Sequence, residues 1–109
     1  MTHKVTVKGK IKKYMPQFMD NTKKDINLLK QASIENDMFE MERISHSIKG
    51  YGKPFGFTKL GNLAAQINRE IKAKNIENAI PLIDELDTYF ENIEIVYDEE
   101  KPPESYDNS

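Results

Sequence analysis

The chain has no cysteine and no tryptophan among its 109 residues. Without thiols there is no disulfide, no thiolate metal site and no cysteine nucleophile. Only two histidines are present, His3 and His46, so little scope exists for a zinc site. No apolar run is long enough to span a bilayer. The N-terminal Met1-Thr2-His3-Lys4-Val5 lacks the apolar stretch of a secretory signal. A cytoplasmic location is therefore expected, with no membrane contact and no metal. The N-terminal lysines lack interleaved arginines and aromatics, so no nucleic acid is expected as a partner. No glycine-rich nucleotide motif is present, which leaves any ATP chemistry to another chain.

Apolar residues make up 38% and charged residues 31%, the composition of a soluble domain with one core. The net charge of −2 hides a gradient: residues 1–30 carry a net of +6, residues 77–109 a net of −10. Such polarity either steers a charged partner or lets neighbouring helices of opposite charge attract. The second explanation is the plainer and is preferred.

The periodicity predicts an all-α fold, an up-and-down antiparallel four-helix bundle over residues 1–97, with a short N-terminal lead-in helix and a disordered acidic tail at 98–109. Ile11, Met15, Phe18, Ile26 and Leu29 fall at mostly helical spacing over residues 11–34; Pro16 fits the first turn of a long helix from about residue 16, after the lead-in helix, and Ile34-Glu35-Asn36 is the turn. Asp37, with Glu40 three residues on, has the pattern of a capping box. The helix that follows buries Met38, Met41, Ile44 and Ile48 and weakens near Gly50, Gly52 and Pro54. A third helix begins near Phe57 or Thr58 and buries Leu60, Leu63, Ala64, Ile67 and Ile71. Asn75 caps the fourth, whose seam is Ile76, Ala79, Ile83, Leu86, Phe90 and Ile93. Pro81 lies off that seam and predicts a kink or a late start. Val5-Thr6-Val7 and Ile95-Val96-Tyr97 are β-prone, but each is too short to displace the helical reading.

Residues 46–56 read His-Ser-Ile-Lys-Gly-Tyr-Gly-Lys-Pro-Phe-Gly. Residues three and four apart share a helix face, which groups His46 with Arg43, Lys49, Gly50 and Lys53. His46 stands two residues from both Ile44 and Ile48, away from the buried stripe. The pattern predicts an exposed imidazole flanked by cations and by a residue without a side chain. A neutral imidazole is a good nitrogen nucleophile, cations stabilise an added phosphoryl group, and Gly50 lets a partner approach. Phe39, Arg43, His46, Gly50 and Lys53 form a stripe, with Phe39 as an aromatic anchor or as a plug for the bundle end. The plain alternative is a surface histidine near a helix end, with lysines on a solvated face.

The string resembles the signature of the histidine phosphotransfer (HPt) domain family of two-component phosphorelays. In that signature a His-x-(Leu/Ile)-Lys-Gly motif is followed by an apolar residue and Gly, here His46, Ile48, Lys49, Gly50, Phe55 and Gly56. Lys-Gly-x-Gly-x-x-Phe-Gly-Phe is similar to a subgroup of the family. Pro16-Gln17-Phe18-Met19-Asp20-Asn21 with Lys24-Asp25-Ile26 resembles that subgroup's first helix. Asp37 and Met38 match the approach to the His helix, and Leu60, Leu63 and Ile67 match the helix after it. The resemblance implies a carrier rather than an enzyme. It would take a phosphoryl group on His46 from a receiver-domain aspartyl phosphate or from a histidine or hybrid kinase. It would then pass it to a response regulator receiver domain. Lys49 would stabilise the phosphate and Gly50 would provide steric clearance. Arg43, Lys53 and Phe39 would dock the receiver. Mg²⁺ would sit on the receiver alone, with no cofactor on this chain, which is expected to act as a monomer. The family often places Gln or Glu twenty-two positions after the His to orient the imidazole. Here that place holds the shorter Asn68, with Gln66 nearby, and both are candidates for the role. The competing reading is a helical interaction module that binds receivers without phosphotransfer.

Overall fold

A computed structural model describes residues 2–98. Most of them are helical: α1 spans Met15–Ile34, α2 Met38–Gly52, α3 Thr58–Lys72 and α4 Ile76–Glu91. Pro16 falls in the first turn of α1, where a missing N–H breaks no helical bond. The first three helices stop by the same device, a residue in the left-handed region that closes the last carbonyls. Asn36 at φ 57° ends α1, and Asp37 N–H donates back to the Ala32 carbonyl at 2.8 Å. Gly56 at φ 93° follows α2; its N–H donates to the Lys53 carbonyl and that of Phe57 to the Gly52 carbonyl, both at 2.8 Å. Lys74 at φ 63° ends α3, with Asn75 N–H donating to the Glu70 carbonyl at 2.8 Å.

The helix starts are less uniform. The Asp37 carboxylate accepts from Glu40 N–H at 3.1 Å and so caps α2. Glu40 does not complete the box, because its carboxylate pairs with Arg43. Asn75 holds the N-cap position of α4, but its amide donates to Glu70 at 3.3 Å instead of capping. α4 starts on time at Ile76 with Pro81 inside it, so the proline causes no late start.

Turns of three to five residues join the helices. Side-chain pairs show their directions. Lys23 bonds Glu91 and Lys30 bonds Asp87 at 2.8 Å, so α4 descends as α1 ascends. Gly52 meets Gly61 while Ser45 meets Asn68, so α2 and α3 are also antiparallel. The same ion pairs join two lysines of α1 to two carboxylates of α4. Inside lie Phe18, Ile26, Leu29, Met41, Ile44, Ile48, Leu60, Ile67, Ile71, Ile83 and Leu86.

The chain ends correct the helical expectation. Strand β1 (His3–Lys8) pairs in parallel with β2 (Ile93–Asp98). Ile93 thus leaves the α4 seam and opens a strand. Neither strand is long enough to stand alone, but their register explains the pairing. Val5 and Val7 lie opposite Ile95 and Tyr97 and pack against the core, while Lys4 faces Glu94 and Lys8 faces Asp98. The lead-in segment Gly9–Tyr14 is a 3-10 helix that runs directly into α1. The expected tail begins at Asp98, which is the last residue of β2; residues 99–109 lie outside the described residues.

Candidate functional site

His46 sits near the middle of α2 and is exposed. The buried residues of that helix are Met41, Ile44, Ser45, Ile48 and Gly52. At about 100° of rotation per residue, His46 points outward beside the seam between α2 and α3. It lines a shallow cavity of about 400 Å³ with Phe39, Glu42, Arg43, Ser47 and Lys72. Phe39 is 76% exposed, so it stands free on the surface and does not plug the bundle end.

The glycines of α2 differ in what they meet. A Cβ on Gly50 would have nothing within 4 Å. A Cβ on Gly52 would stand 2.8 Å from the Gly61 backbone nitrogen and 2.9 Å from its Cα. Gly52 is therefore demanded by the crossing of α2 and α3. The fold makes no such demand at Gly50, one turn beyond His46.

The cations around His46 are not equivalent. Arg43 is one turn before His46 and lines the cavity with it. Its guanidinium is clasped by Glu40 through Nε at 3.1 Å and Nη2 at 2.7 Å. That hydrogen bond raises the Arg43 pKa and holds the Glu40 carboxyl below its ordinary range. Lys49 is one turn after His46 on the same helix face but does not line that cavity. Lys53 is spent elsewhere: its stem packs by Gly61, and it lines a separate cavity with Lys8 and Lys10. Of the expected flank of Arg43, Lys49 and Lys53, Arg43 alone lines the cavity with His46.

The two imidazole-orienting candidates are corrected by the same geometry. Asn68 is buried, and its amide nitrogen donates to the Glu42 carbonyl and to Ser45 Oγ, each at 3.1 Å. Ser45 Oγ donates in turn to the Glu42 carbonyl at 3.1 Å. The short amide ties α3 to α2 beneath His46 and does not reach the ring. Gln66 is exposed, and two positions from Asn68 is about 200° of rotation, which turns it away from α2. Among the described residues no hydrogen bond joins either side chain to His46.

On the other flank of α2, the Tyr51 hydroxyl donates to Asp25 at 2.8 Å, and burial with that carboxylate raises the phenol above its ordinary pKa. Phe18 stacks on Phe55 and Phe57, with centroids 4.5 and 4.8 Å apart. This cluster anchors the turn after α2; Phe57 is fully buried and Phe55 half-buried. Lys72 and Ser47 were missed from the sequence. Lys72 lies one turn beyond Asn68, already placed beside the His helix, so an i+4 search from that position finds it.

Among the described residues no group of three His, Asp or Glu is placed to hold a metal ion, and no helix is long and apolar enough to cross a membrane. The family model described as Hpt domain matches residues 13–95, and the chain belongs to that family. Hpt domains are phosphocarriers of phosphorelays rather than enzymes. No curated protein and no solved structure gives a significant match.

Proposed function

We propose that this Hpt domain carries its phosphoryl group on Nε2 of His46. The donor is a receiver-domain aspartyl phosphate or a histidine or hybrid kinase, and the acceptor is a response regulator receiver domain. The Nε2 lone pair attacks phosphorus as the P–O bond to the aspartyl carboxylate breaks, and the carboxylate leaves with its electron pair. Lys49 compensates the phosphoryl charge. Gly50 leaves room for the receiver backbone. Phe39 is the apolar contact, and Arg43 and Lys53 lie at the rim of the docked surface. The chain needs no cofactor of its own, because the Mg²⁺ that assists transfer belongs to the receiver. It works in the cytoplasm, where its partners are.

The observation that carries this reading is the exposed His46 one turn from Gly50, a glycine with no packing role. The test is incubation with phosphorylated receivers from the source genome, following label by gel. Labelling of wild type and none of His46→Gln is expected. Binding of receivers with no transfer of label would instead favour an interaction module.

A further inference from the structure

The cavity that takes Lys53 lies where β1, the 3-10 segment and the turn after α2 meet. It holds about 420 Å³, and His46 does not line it. Three lysines, Lys8, Lys10 and Lys53, border it together with Ile11, Pro54 and Phe55. Lys8 comes from β1, Lys10 and Ile11 come from the 3-10 segment, and Lys53 caps the end of α2. A Cβ on Gly56 would lie 3.5 Å from the Thr6 carbonyl oxygen, so the turn closes directly against the strand.

The charge here is of one sign. Among the described residues no Asp or Glu lines the cavity, and no salt bridge engages Lys8, Lys10 or Lys53. Asp98 stands opposite Lys8 in the strand register, but outside the lining. The fold thus gathers like charges from two distant segments, and their mutual repulsion is relieved by an anion. Lysine ammoniums are compact charges that bind phosphate well. The floor is chemically different. Ile11 and Phe55 are half-buried. One face of Phe55 is stacked on Phe18, with centroids 4.5 Å apart, and the rest of the ring borders the cavity beside Pro54. A cationic rim over an apolar floor sorts ligands. An inorganic anion leaves the floor wet, and a neutral aromatic leaves the lysines unanswered. A flat apolar body that carries a dianion satisfies both.

We infer that this cavity binds a small aromatic phosphate monoester, with the ring on Ile11, Pro54 and Phe55 and the phosphate among Lys8, Lys10 and Lys53. The site is separate from His46 and does not depend on that residue carrying a phosphoryl group.

Phenyl phosphate is the probe, and inorganic phosphate and phenol are its two halves. Each is titrated into the ¹⁵N-labelled full chain, and amide shifts are followed by NMR. Phenyl phosphate is expected to give saturable shifts centred on residues 6–11 and 53–56, and each half to bind about tenfold or more weakly. Lys10→Gln and Lys53→Gln should each weaken phenyl phosphate about fivefold, while Lys24→Gln, the same charge loss on α1, should leave it unchanged. All three lysines are exposed, and thermal melts check that each variant folds. Inorganic phosphate that binds as tightly as phenyl phosphate overturns the inference, as do shifts centred on His46 and Arg43. Equal weakening by Lys24→Gln, or no saturable shift at all, also overturns it.

Discussion

Gly50 and Gly52 stand two residues apart in one helix, and the structure gives them opposite roles. Gly50→Ala places a methyl group in open space. Glycine within a helix costs about 0.5–1 kcal/mol relative to alanine, so this substitution should stabilise the fold by about that much. For a domain of this size that is a rise in Tm of roughly 2–8 °C. Gly52→Ala places its methyl 2.8 Å from the Gly61 nitrogen, against backbone that cannot turn aside. The crossing helices must separate, at a cost of about 1–3 kcal/mol and a fall in Tm of roughly 4–24 °C. Thermal melts by circular dichroism read both shifts. Phosphotransfer from a receiver should respond in the other order. Gly50→Ala, though more stable, should slow transfer by about tenfold or more, because a small misplacement of reacting groups is costly. A Gly50→Ala protein that is stabilised and transfers at the wild-type rate would refute the clearance role. One that is destabilised would refute the reasoning about open space.

Three further outcomes follow from the same geometry. Lys74 holds a left-handed φ of 63° after α3, so Lys74→Gly should raise stability by up to about 1 kcal/mol, read as the midpoint of urea unfolding. Asn68→Leu should cost about 1–3 kcal/mol, since it strips the buried Ser45 hydroxyl and the Glu42 carbonyl of a donor; the His46 ring resonances in NMR should keep their tautomer pattern, and a tautomer change would show that Asn68 orients the ring after all. Glu40 has its carboxyl depressed by Arg43. Its contribution to stability is therefore present above the ordinary carboxylate range and lost as pH falls through the depressed value. The small difference in Tm between wild type and Arg43→Ala should accordingly be measurable at pH 7 and vanish near pH 2.

Features written in local spacing were legible, and features made by distant pairing were not. The 3-and-4 seam of α4 placed Ala79, Ile83, Leu86 and Phe90 in the core, where they are. Pro16, Asp37 and the Phe55-Gly56-Phe57 turn likewise declare themselves within a few residues. The strands escaped because each is a short β-prone run whose partner lies ninety residues away. The hint was available only by comparing the two ends: Lys4 and Lys8 repeat at the spacing of Glu94 and Asp98. The stripe through His46 was legible as a face, but not the fate of each charge on it. Periodicity cannot tell that Arg43 closes on Glu40 or that Lys53 turns to a second cavity. Nor can it show that Asn68, one methylene shorter than glutamine, spends its amide on the neighbouring backbone. Lys72 reaches the site across a helix boundary, which no spacing within α2 reveals.

The most direct measurement of the central claim is to locate the phosphate after transfer from a phosphorylated receiver. Two-dimensional NMR with ¹⁵N-labelled histidine resolves His3 from His46 and Nδ1 from Nε2. The expected result is a single phosphorylated nitrogen, Nε2 of His46, absent from His46→Gln and labile in acid. Phosphate on His3, on Nδ1 of His46, or on an acid-stable hydroxyl such as that of Ser47 would contradict the account.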